Sequence, residues 1–179
     1  TFFFKRNVGE SGMDQLSLMC RDTDFPPMSL DIYATPGAKI KVTGTNPLIY
    51  TWRVDSPVKE QQEHNRFIED SRDLWDEFQR LAIKERSMRS ASEAERKALR
   101  TKSDSISSII NQRELKLMKE LPISNVWMEK LLRLSMSLKY NSRFTNKEEI
   151  LALYDRLNEE QKASIEGQEI RVNLFPPKT

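Results

Sequence analysis

The sequence predicts an α+β fold in which an antiparallel β-sheet unit is followed by a helical unit of four to five helices. Three observations support this prediction. As far as Asp55, apolar residues occur in short, strand-length runs separated by turn residues. Beyond Ser56-Pro57 they recur every three or four residues, which is the period of an amphipathic helix. The short connectors between successive strand segments favour antiparallel pairing over a βαβ arrangement.

Five segments have the composition and length of strands. They are Phe2–Phe4, Leu16–Cys20, Ser29–Tyr33, Lys39–Thr43 and Leu48–Val54. Glycine and proline lie between them, for example in Thr35-Pro36-Gly37, and mark turns. A sixth strand is predicted near the end of the chain, where Ile170, Val172 and Leu174 alternate with polar residues. The segments together predict one antiparallel sheet of five or six strands with one buried face.

Capping signals predict the first two helices. Ser56 supplies an N-cap hydroxyl and Pro57 suits the first helical position, so helix one is predicted to begin there and extend past Leu81. Ser92 opens a long second helix. Pro122 ends that helix, because a proline ring disfavours helical geometry in the residue before it.

Three further helices follow in the prediction. Ser124 caps the third helix. Thr145 and Glu148 form a predicted capping box, in which hydroxyl and carboxylate satisfy free amides at the start of the fourth. A short helix over roughly residues 159–166 is predicted to stop at Gly167, because glycine readily adopts the left-handed conformation that ends many helices.

This pattern predicts two regions, a β unit over residues 1–55 and a helical unit over residues 56–179, packed as one compact region. Charge is nearly balanced, with 29 basic and 27 acidic residues. The segment 84–102 is locally basic, but no aromatic residue lies between Phe78 and Trp127 to stack on bases. We therefore predict a solvated helix face there and no nucleic-acid partner. No apolar run reaches the roughly 18 residues of a membrane span.

The single histidine and the single cysteine are candidates for chemistry, and a structural role is favoured for both. His64 lies near Glu60 and Glu63 on the first predicted helix, but carboxylates at helical spacing are common. It is predicted to be a surface histidine. Cys20 has no second cysteine and no neighbouring base in the sequence, so it is predicted to be a buried structural thiol.

Two acidic pairs also have a structural explanation. Glu148/Glu149 and Glu159/Glu160 lie at predicted helix starts, where carboxylates stabilise the positive end of the helix dipole. Adjacent helical residues point about 100° apart, which is a poor arrangement for a shared acid–base site. A catalytic carboxylate pair is therefore not predicted.

The aromatic and glycine residues are the remaining candidates for a functional site. Trp75 and Trp127 fall on core-facing helical stripes, and Trp52, on the last strand before the helices, is the candidate for a contact between sheet and helix. Gly9 and Gly12 belong to a turn and lack the residues of a phosphate-binding loop. We therefore predict no catalytic residue, no cofactor-binding residue, no metal ligand and no cofactor.

Several stretches, taken in order, resemble a known arrangement. They are Ala34–Thr45, Val54–Gln61, Leu121–Val126, Leu153–Leu157 and Ser164–Gly167. Their order and spacing are similar to the N-terminal region of TlpA-type (AhpC/TSA-like) thiol-disulfide oxidoreductases of Gram-negative envelopes. In that family a small β unit of unknown function comes first, then a helical segment, then the catalytic thioredoxin-like domain. The likeness covers approximately residues 2–174.

The resemblance implies a non-catalytic N-terminal module that serves positioning, dimerisation or substrate docking for a thioredoxin-like domain. Cys20 does not match the family's redox C-x-x-C motif, so no catalytic residue transfers to this chain. The implied partners are its own C-terminal thioredoxin-like domain, a second copy and a protein substrate. An apolar docking surface is expected around Phe175-Pro176-Pro177 and nearby helix faces.

The same resemblance implies a periplasmic or envelope-anchored protein, in which a leader or lipid anchor precedes Thr1 and provides the only membrane contact. The alternative hypothesis is a free-standing periplasmic binding or interaction module without redox activity.

Overall fold

The computed structural model describes residues 12–88, 91–140 and 144–176. Within these residues the chain forms four β-strands, one short 3-10 helix and seven α-helices, which confirms the α+β fold class. The chain divides into two compact units, Thr1–Leu99 and Arg100–Thr179, and the division falls inside the third helix. The organisation into regions 1–55 and 56–179 stays a prediction.

The strands form two separate two-stranded antiparallel sheets. One sheet contains β1 (Asp14–Leu18) and β2 (Leu30–Ala34), and the other contains β3 (Lys41–Thr43) and β4 (Arg53–Asp55). In the first sheet Leu16 lies opposite Ile32, and in the second Val42 lies opposite Val54. The prediction of a single sheet of five or six strands is therefore wrong for the described part of the chain.

Two of the predicted strands do not occur as single strands in the described part of the chain. Phe2–Phe4 lies outside the described residues. The predicted strand Leu48–Val54 is divided, because residues Ile49–Thr51 form a 3-10 helix before β4 begins. The hydroxyl of Thr51 donates to the Leu48 carbonyl oxygen at 2.7 Å, and this local bond favours the turn over an extended strand.

Side-chain amides of the first helix form hydrogen bonds with backbone groups of both sheets. In α1 (Lys59–Asp70), the Oε1 atom of Gln61 accepts a hydrogen bond from the Tyr33 backbone N–H of β2 at 2.8 Å. The Nε2 atom of Gln61 donates to Asn65 Oδ1 at 2.9 Å, and Asn65 Nδ2 donates to the Val54 carbonyl of β4 at 2.8 Å. These side-chain amides form hydrogen bonds with backbone groups at the strand edges. Those backbone groups therefore need no third strand as a hydrogen-bonding partner.

The predicted first helix is two helices, α1 and α2 (Arg72–Ser87), with Ser71 between them. The start predicted at Pro57 is also wrong, because α1 begins at Lys59. The Ser56 hydroxyl accepts a hydrogen bond from the Val58 backbone N–H at 3.1 Å. This turn leaves Val58 in an extended conformation, so the helix begins one residue later.

The buried core of the first unit combines strand residues and the 3-10 helix. Leu30, Ile49 and Val54 form its buried centre. The partly buried side chains packed against them are Phe25, Met28, Ile40, Val42, Tyr50 and Trp52. Apolar burial of this kind contributes about 25 cal/mol for each Å² removed from water.

Local signals located the long helices correctly. The third helix, α3 (Glu93–Glu120), begins after Ser92, whose hydroxyl accepts from the Glu95 backbone N–H at 3.3 Å. Glu95 in turn accepts from the Ser92 backbone N–H at 2.9 Å, completing a reciprocal capping box. The next helix, α4 (Asn125–Tyr140), follows Ser124, whose hydroxyl accepts from the Trp127 N–H at 3.1 Å.

The predicted capping box of Thr145 and Glu148 is wrong, because α5 (Lys147–Asp155) begins after Asn146 and the side chain of its N-cap accepts no hydrogen bond from a backbone amide of the described residues. The N-cap of α5 is Asn146, and its amide donates to Glu149 Oε2 at 2.6 Å.

The predicted final strand is a helix, α7 (Ile165–Leu174), which follows α6 (Glu159–Ala163) after one residue. The hydroxyl of Ser164 accepts a hydrogen bond from the Gly167 backbone N–H at 3.1 Å and caps α7. Gly167 therefore lies in the first turn of α7 and does not end the helix before it.

The second unit is built around α4, which packs against α5 and α7. Its core includes the largest buried side chains of this part of the chain. They are Trp127, Leu131, Leu134, Ile150, Leu153, Ile170, Leu115 and Met118. The side chain of Asn173 adds a polar contact by donating to the Ser135 hydroxyl at 3.0 Å.

Candidate functional site

The structure places His64 differently from the prediction and leaves Cys20 as a single thiol. His64 is only 6% exposed and its ring packs against Tyr33, with the ring centroids 5.5 Å apart. The predicted surface position is therefore wrong, because this residue lies on the face of α1 that packs on β2. Cys20 is half-buried in the segment after β1, so the predicted burial of its thiol is wrong. The described residues contain no group of three His, Cys, Asp or Glu side chains arranged to hold a metal ion.

Both acidic pairs lie in the first turns of helices, as the sequence predicts. Lys119 donates a hydrogen bond to Glu149 at 2.9 Å, and Asn146 donates at 2.6 Å. These two donors hold the pKa of the Glu149 carboxyl below its usual value of 4.5. Glu149 is thus ionised at neutral pH and joins α3 to α5 as a structural ion pair.

The tryptophans have structural contacts. The indole of Trp127 is fully buried and its Nε1 donates to the Met118 carbonyl oxygen at 3.0 Å. Trp75 packs edge-on against Tyr50 and Phe78, with centroid distances of 4.7 and 5.6 Å. Trp52 donates from Nε1 to the Asn46 carbonyl at 2.7 Å and closes the loop between β3 and β4.

An open groove of about 360 Å³ lies in the first unit between α2 and two loops. Its lining residues come from three parts of the chain, and they are Asp24, Asn46, Pro47, Leu48, Arg80 and Ile83. The sequence does not predict this groove, because its lining residues form no motif. The first and last of them, Asp24 and Ile83, lie far apart in the sequence. One acidic and one basic side chain therefore share an otherwise largely apolar surface.

A second candidate surface lies on α7 in the second unit. Three apolar side chains on this helix or at its C-cap are exposed: Ile165 at 77%, Val172 at 59% and Phe175 at 56%. The buried residues of α7 are Gly167, Ile170 and Leu174. Phe175 belongs to the segment around which the sequence predicts an apolar docking surface, and docking there stays a prediction. We call these three residues the α7 apolar face.

Helical geometry places Ile165 and Val172 of the α7 apolar face on one side of the helix, with the exposed polar residues Gln168 and Glu169 on the turn between them. Ile165 and Val172 are seven residues apart, so their side chains point within about 20° of each other. Phe175 follows Val172 by three residues and lies on the same side. Ile170 and Leu174, four residues apart, point to the opposite side, where α7 packs on α4. One side of the helix is therefore covered by the described residues, and the other carries exposed apolar side chains among polar ones.

Comparison with protein-family models, with curated proteins and with solved structures found no match to this chain. In the described part of the chain, no helix combines the length and the apolarity needed to cross a bilayer.

Proposed function

We propose that this chain is the non-catalytic N-terminal module of an envelope thiol-disulfide oxidoreductase, and that the α7 apolar face docks its thioredoxin-like domain. The observation that supports this proposal best is the exposure of Ile165, Val172 and Phe175 on one side of a helix whose other side is buried. The order of sequence stretches similar to TlpA-type proteins supports the choice of partner.

The energetics of the α7 apolar face favour a covered state. Full burial of one large aliphatic or aromatic side chain contributes about 1.5–3 kcal/mol. Ile165, Val172 and Phe175 are each more than half exposed, so a partner that covers them gains a large part of that contribution. Single exposed apolar residues are common on protein surfaces, so it is the presence of three of them along one helix and its C-cap that supports an interaction site.

The chemistry of this chain agrees with a supporting role. A dithiol oxidoreductase exchanges electrons through two cysteines, and Cys20 is the only cysteine here. In the proposal, the reactive cysteines belong to the thioredoxin-like domain and this module positions that domain or its protein substrate. Residence in the periplasm, free or held by a lipid anchor, is part of the same proposal.

The gene sequence and a binding titration test the proposal. The reading frame beyond Thr179 should encode a thioredoxin-like domain; a stop codon there would contradict the proposal directly. The separately produced domain should bind this chain. The triple substitution Ile165→Ser, Val172→Ser and Phe175→Ser should weaken binding by at least about tenfold, which corresponds to 1.4 kcal/mol.

A matched control uses apolar residues of the same unit that lie outside α7. Ile109 and Met136 are 41% and 45% exposed, and the double substitution Ile109→Ser, Met136→Ser should leave binding within about twofold of wild type. Equal weakening by both variants would show that the α7 apolar face is not the docking surface. Dithiol-dependent reduction of insulin by this chain alone would contradict the non-catalytic role.

The groove in the first unit favours a second candidate function, a free-standing periplasmic binding module without redox activity. Binding modules commonly place a few polar groups around an apolar cleft, and this groove has that composition. The reading frame beyond Thr179 distinguishes the two candidates, because the second requires no thioredoxin-like domain.

A further inference from the structure

The groove in the first unit is built from segments that are fixed to one another. The α2 side chain of Arg86 donates to the Asp22 carbonyl oxygen at 3.2 Å and to the Arg21 carbonyl oxygen at 2.9 Å. These bonds hold the loop that contains Asp24 against the C-terminal end of α2. One wall of the groove is thereby attached to the helix that forms its floor.

The opposite loop is attached to the same helix. Gln79 Oε1 accepts a hydrogen bond from the Tyr50 backbone N–H at 3.0 Å. Within this loop, Asn46 Oδ1 accepts from the Leu48 N–H at 2.8 Å and from the Thr51 hydroxyl at 3.2 Å. The groove therefore exists without a ligand, and a ligand does not have to order it.

The polar groups at the groove can form further hydrogen bonds and ion pairs with a ligand. Among the described residues, the Asp24 carboxylate has no hydrogen bond or ion pair. Within the described ranges, Arg80 forms an ion pair only with Asp76, at 3.3 Å, and the two side chains are 66% and 41% exposed. Because Asn46 Oδ1 is occupied, its Nδ2 group is left to donate to an acceptor in the groove.

We propose that this groove binds an extended polypeptide segment in which an aliphatic side chain lies between one basic and one acidic side chain. The basic group pairs with Asp24 and the acidic group with Arg80. The aliphatic side chain packs on Pro47 and Ile83, and a backbone carbonyl oxygen of the segment accepts from Asn46 Nδ2. Each lining group thus has a partner in one short peptide.

Other ligand classes fit the groove less well. A phosphate ligand or a nucleic acid is attracted by the positive charge of Arg80 but repelled by the negative charge of Asp24. A metal ion needs several oxygen or nitrogen ligands, and Asp24 is the only carboxylate among the described residues that line the groove. The groove is open to solvent, so a longer chain can continue beyond either end of the bound segment. This proposal is independent of docking at the α7 apolar face, which lies in the other unit.

A peptide titration followed by amide chemical shifts tests the proposal on the whole chain. The probes are acetyl-Lys-Leu-Asp-amide and acetyl-Asp-Leu-Lys-amide, since the groove does not specify the direction of the peptide. At least one of them should shift the amide signals of Asn46, Leu48 and Ile83 in a saturable way, with a dissociation constant on the order of 1 mM. The affinity should fall as salt is added, because the charges are exposed.

Substitutions then locate the site and its two charges. Asp24→Asn and Arg80→Gln should each weaken binding by about twofold to fivefold at low salt. Asp55→Asn and Arg53→Gln, which change the same residue types in β4 outside the groove, should have no effect. In Asp24→Asn the preferred probe and its Lys→Gln analogue should bind equally well, whereas wild type should prefer the lysine.

Two results would overturn the proposal. One is the absence of saturable shifts at the groove with both probes. The other is equal affinity of wild type, Asp24→Asn and Arg80→Gln for the preferred probe. Neither result bears on the α7 apolar face, so failure here is distinguishable from failure of the proposed function.

Discussion

The guanidinium group of Arg156 lies over the indole ring of Trp127, 5.4 Å from the ring centroid, and both side chains donate to the same carbonyl oxygen. That oxygen belongs to Met118 in the last turn of α3, with distances of 2.7 Å from Arg156 and 3.0 Å from Trp127. Arg156 also donates to the Leu121 carbonyl at 2.9 Å. A cation and a buried ring thus satisfy the C-terminal carbonyls of α3, where positive charge is favourable.

Substitution of Arg156 by lysine should destabilise the protein. A lysine keeps the charge but has neither the planar fork nor the stacking surface of the guanidinium group. We expect the free energy of unfolding in urea to fall by about 1–2 kcal/mol. Arg171→Lys, a matched change at an exposed position of α7, should stay within about 0.5 kcal/mol of wild type. Equal stability of Arg156→Lys and wild type would show that this cap is not needed.

Substitution of Gln61 by leucine should weaken the joint between α1 and the two sheets. Gln61 is fully buried, and its replacement removes the Oε1 atom that accepts the hydrogen bond of the Tyr33 backbone N–H. The expected cost is about 1–3 kcal/mol. Amide hydrogen exchange at Tyr33 should accelerate correspondingly, and Lys59→Ala, an exposed change on the same helix, should leave it unchanged. Unaltered protection of Tyr33 in Gln61→Leu would contradict this role.

Substitution of Gly167 by alanine should destabilise the protein, although glycine to alanine within a helix is normally favourable by about 1 kcal/mol. A Cβ atom at this position would overlap the carbonyl oxygen of Gln161 and lie 2.8 Å from that of Lys162. Both are backbone atoms at the turn between α6 and α7, so relief requires a shift of that turn. We expect a loss of about 1–3 kcal/mol in thermal or urea unfolding. A stabilised Gly167→Ala variant would refute this account of the turn.

The ion pair of Lys119 and Glu149 should give a pH-dependent contribution to stability. Because the pKa of Glu149 is lowered in the folded state, mainly by Lys119, its contribution is complete above the unfolded-state pKa. It is lost as pH falls through the lower folded-state value. Both side chains are partly exposed, at 50% and 40%, so solvent screening limits the contribution to about 0.2–1 kcal/mol.

The comparison that checks it is the unfolding free energy of wild type and Glu149→Gln at several pH values. Wild type should be more stable at about pH 7 and lose this difference at about pH 2. Glu148→Gln, in the same helical turn, should not reproduce the effect. A difference between wild type and Glu149→Gln that is constant over the whole range would rule out the ion pair as its cause.

Local signals predicted much of the fold because their physical effect is confined to neighbouring residues. Ser92 and Ser124 precede helices as expected, since a hydroxyl that bonds a free amide three residues later acts within one turn. Pro122 likewise follows the end of α3. Prediction failed where two local signals competed, as at Gly167, which suits a helix end but is held in the first turn of α7 by the Ser164 hydroxyl.

The sequence predicted an exposed surface beside Phe175 but did not predict the groove. The exposed surface beside Phe175 was expected from the resemblance, although Val172 was assigned to a strand and not to a helix face. The groove was not predicted, because Asp24 and Arg80 are brought together only when α2 packs beside both loops. The burial of His64 was missed for a similar reason, since its partner Tyr33 belongs to a distant strand.

The amino-acid sequence by itself determined the α+β class, the starts of α3, α4 and α6 and the presence of a single thiol, because periodicity, capping and composition are local properties. Tertiary structure alone decided that the described strands form two small sheets, that His64 is buried and that Asp24 and Arg80 share a groove. Those outcomes depend on contacts between residues far apart in the chain. The hydrogen bonds of Gln61 illustrate the difference, since nothing near this residue in the sequence indicates that its amide bonds a strand edge.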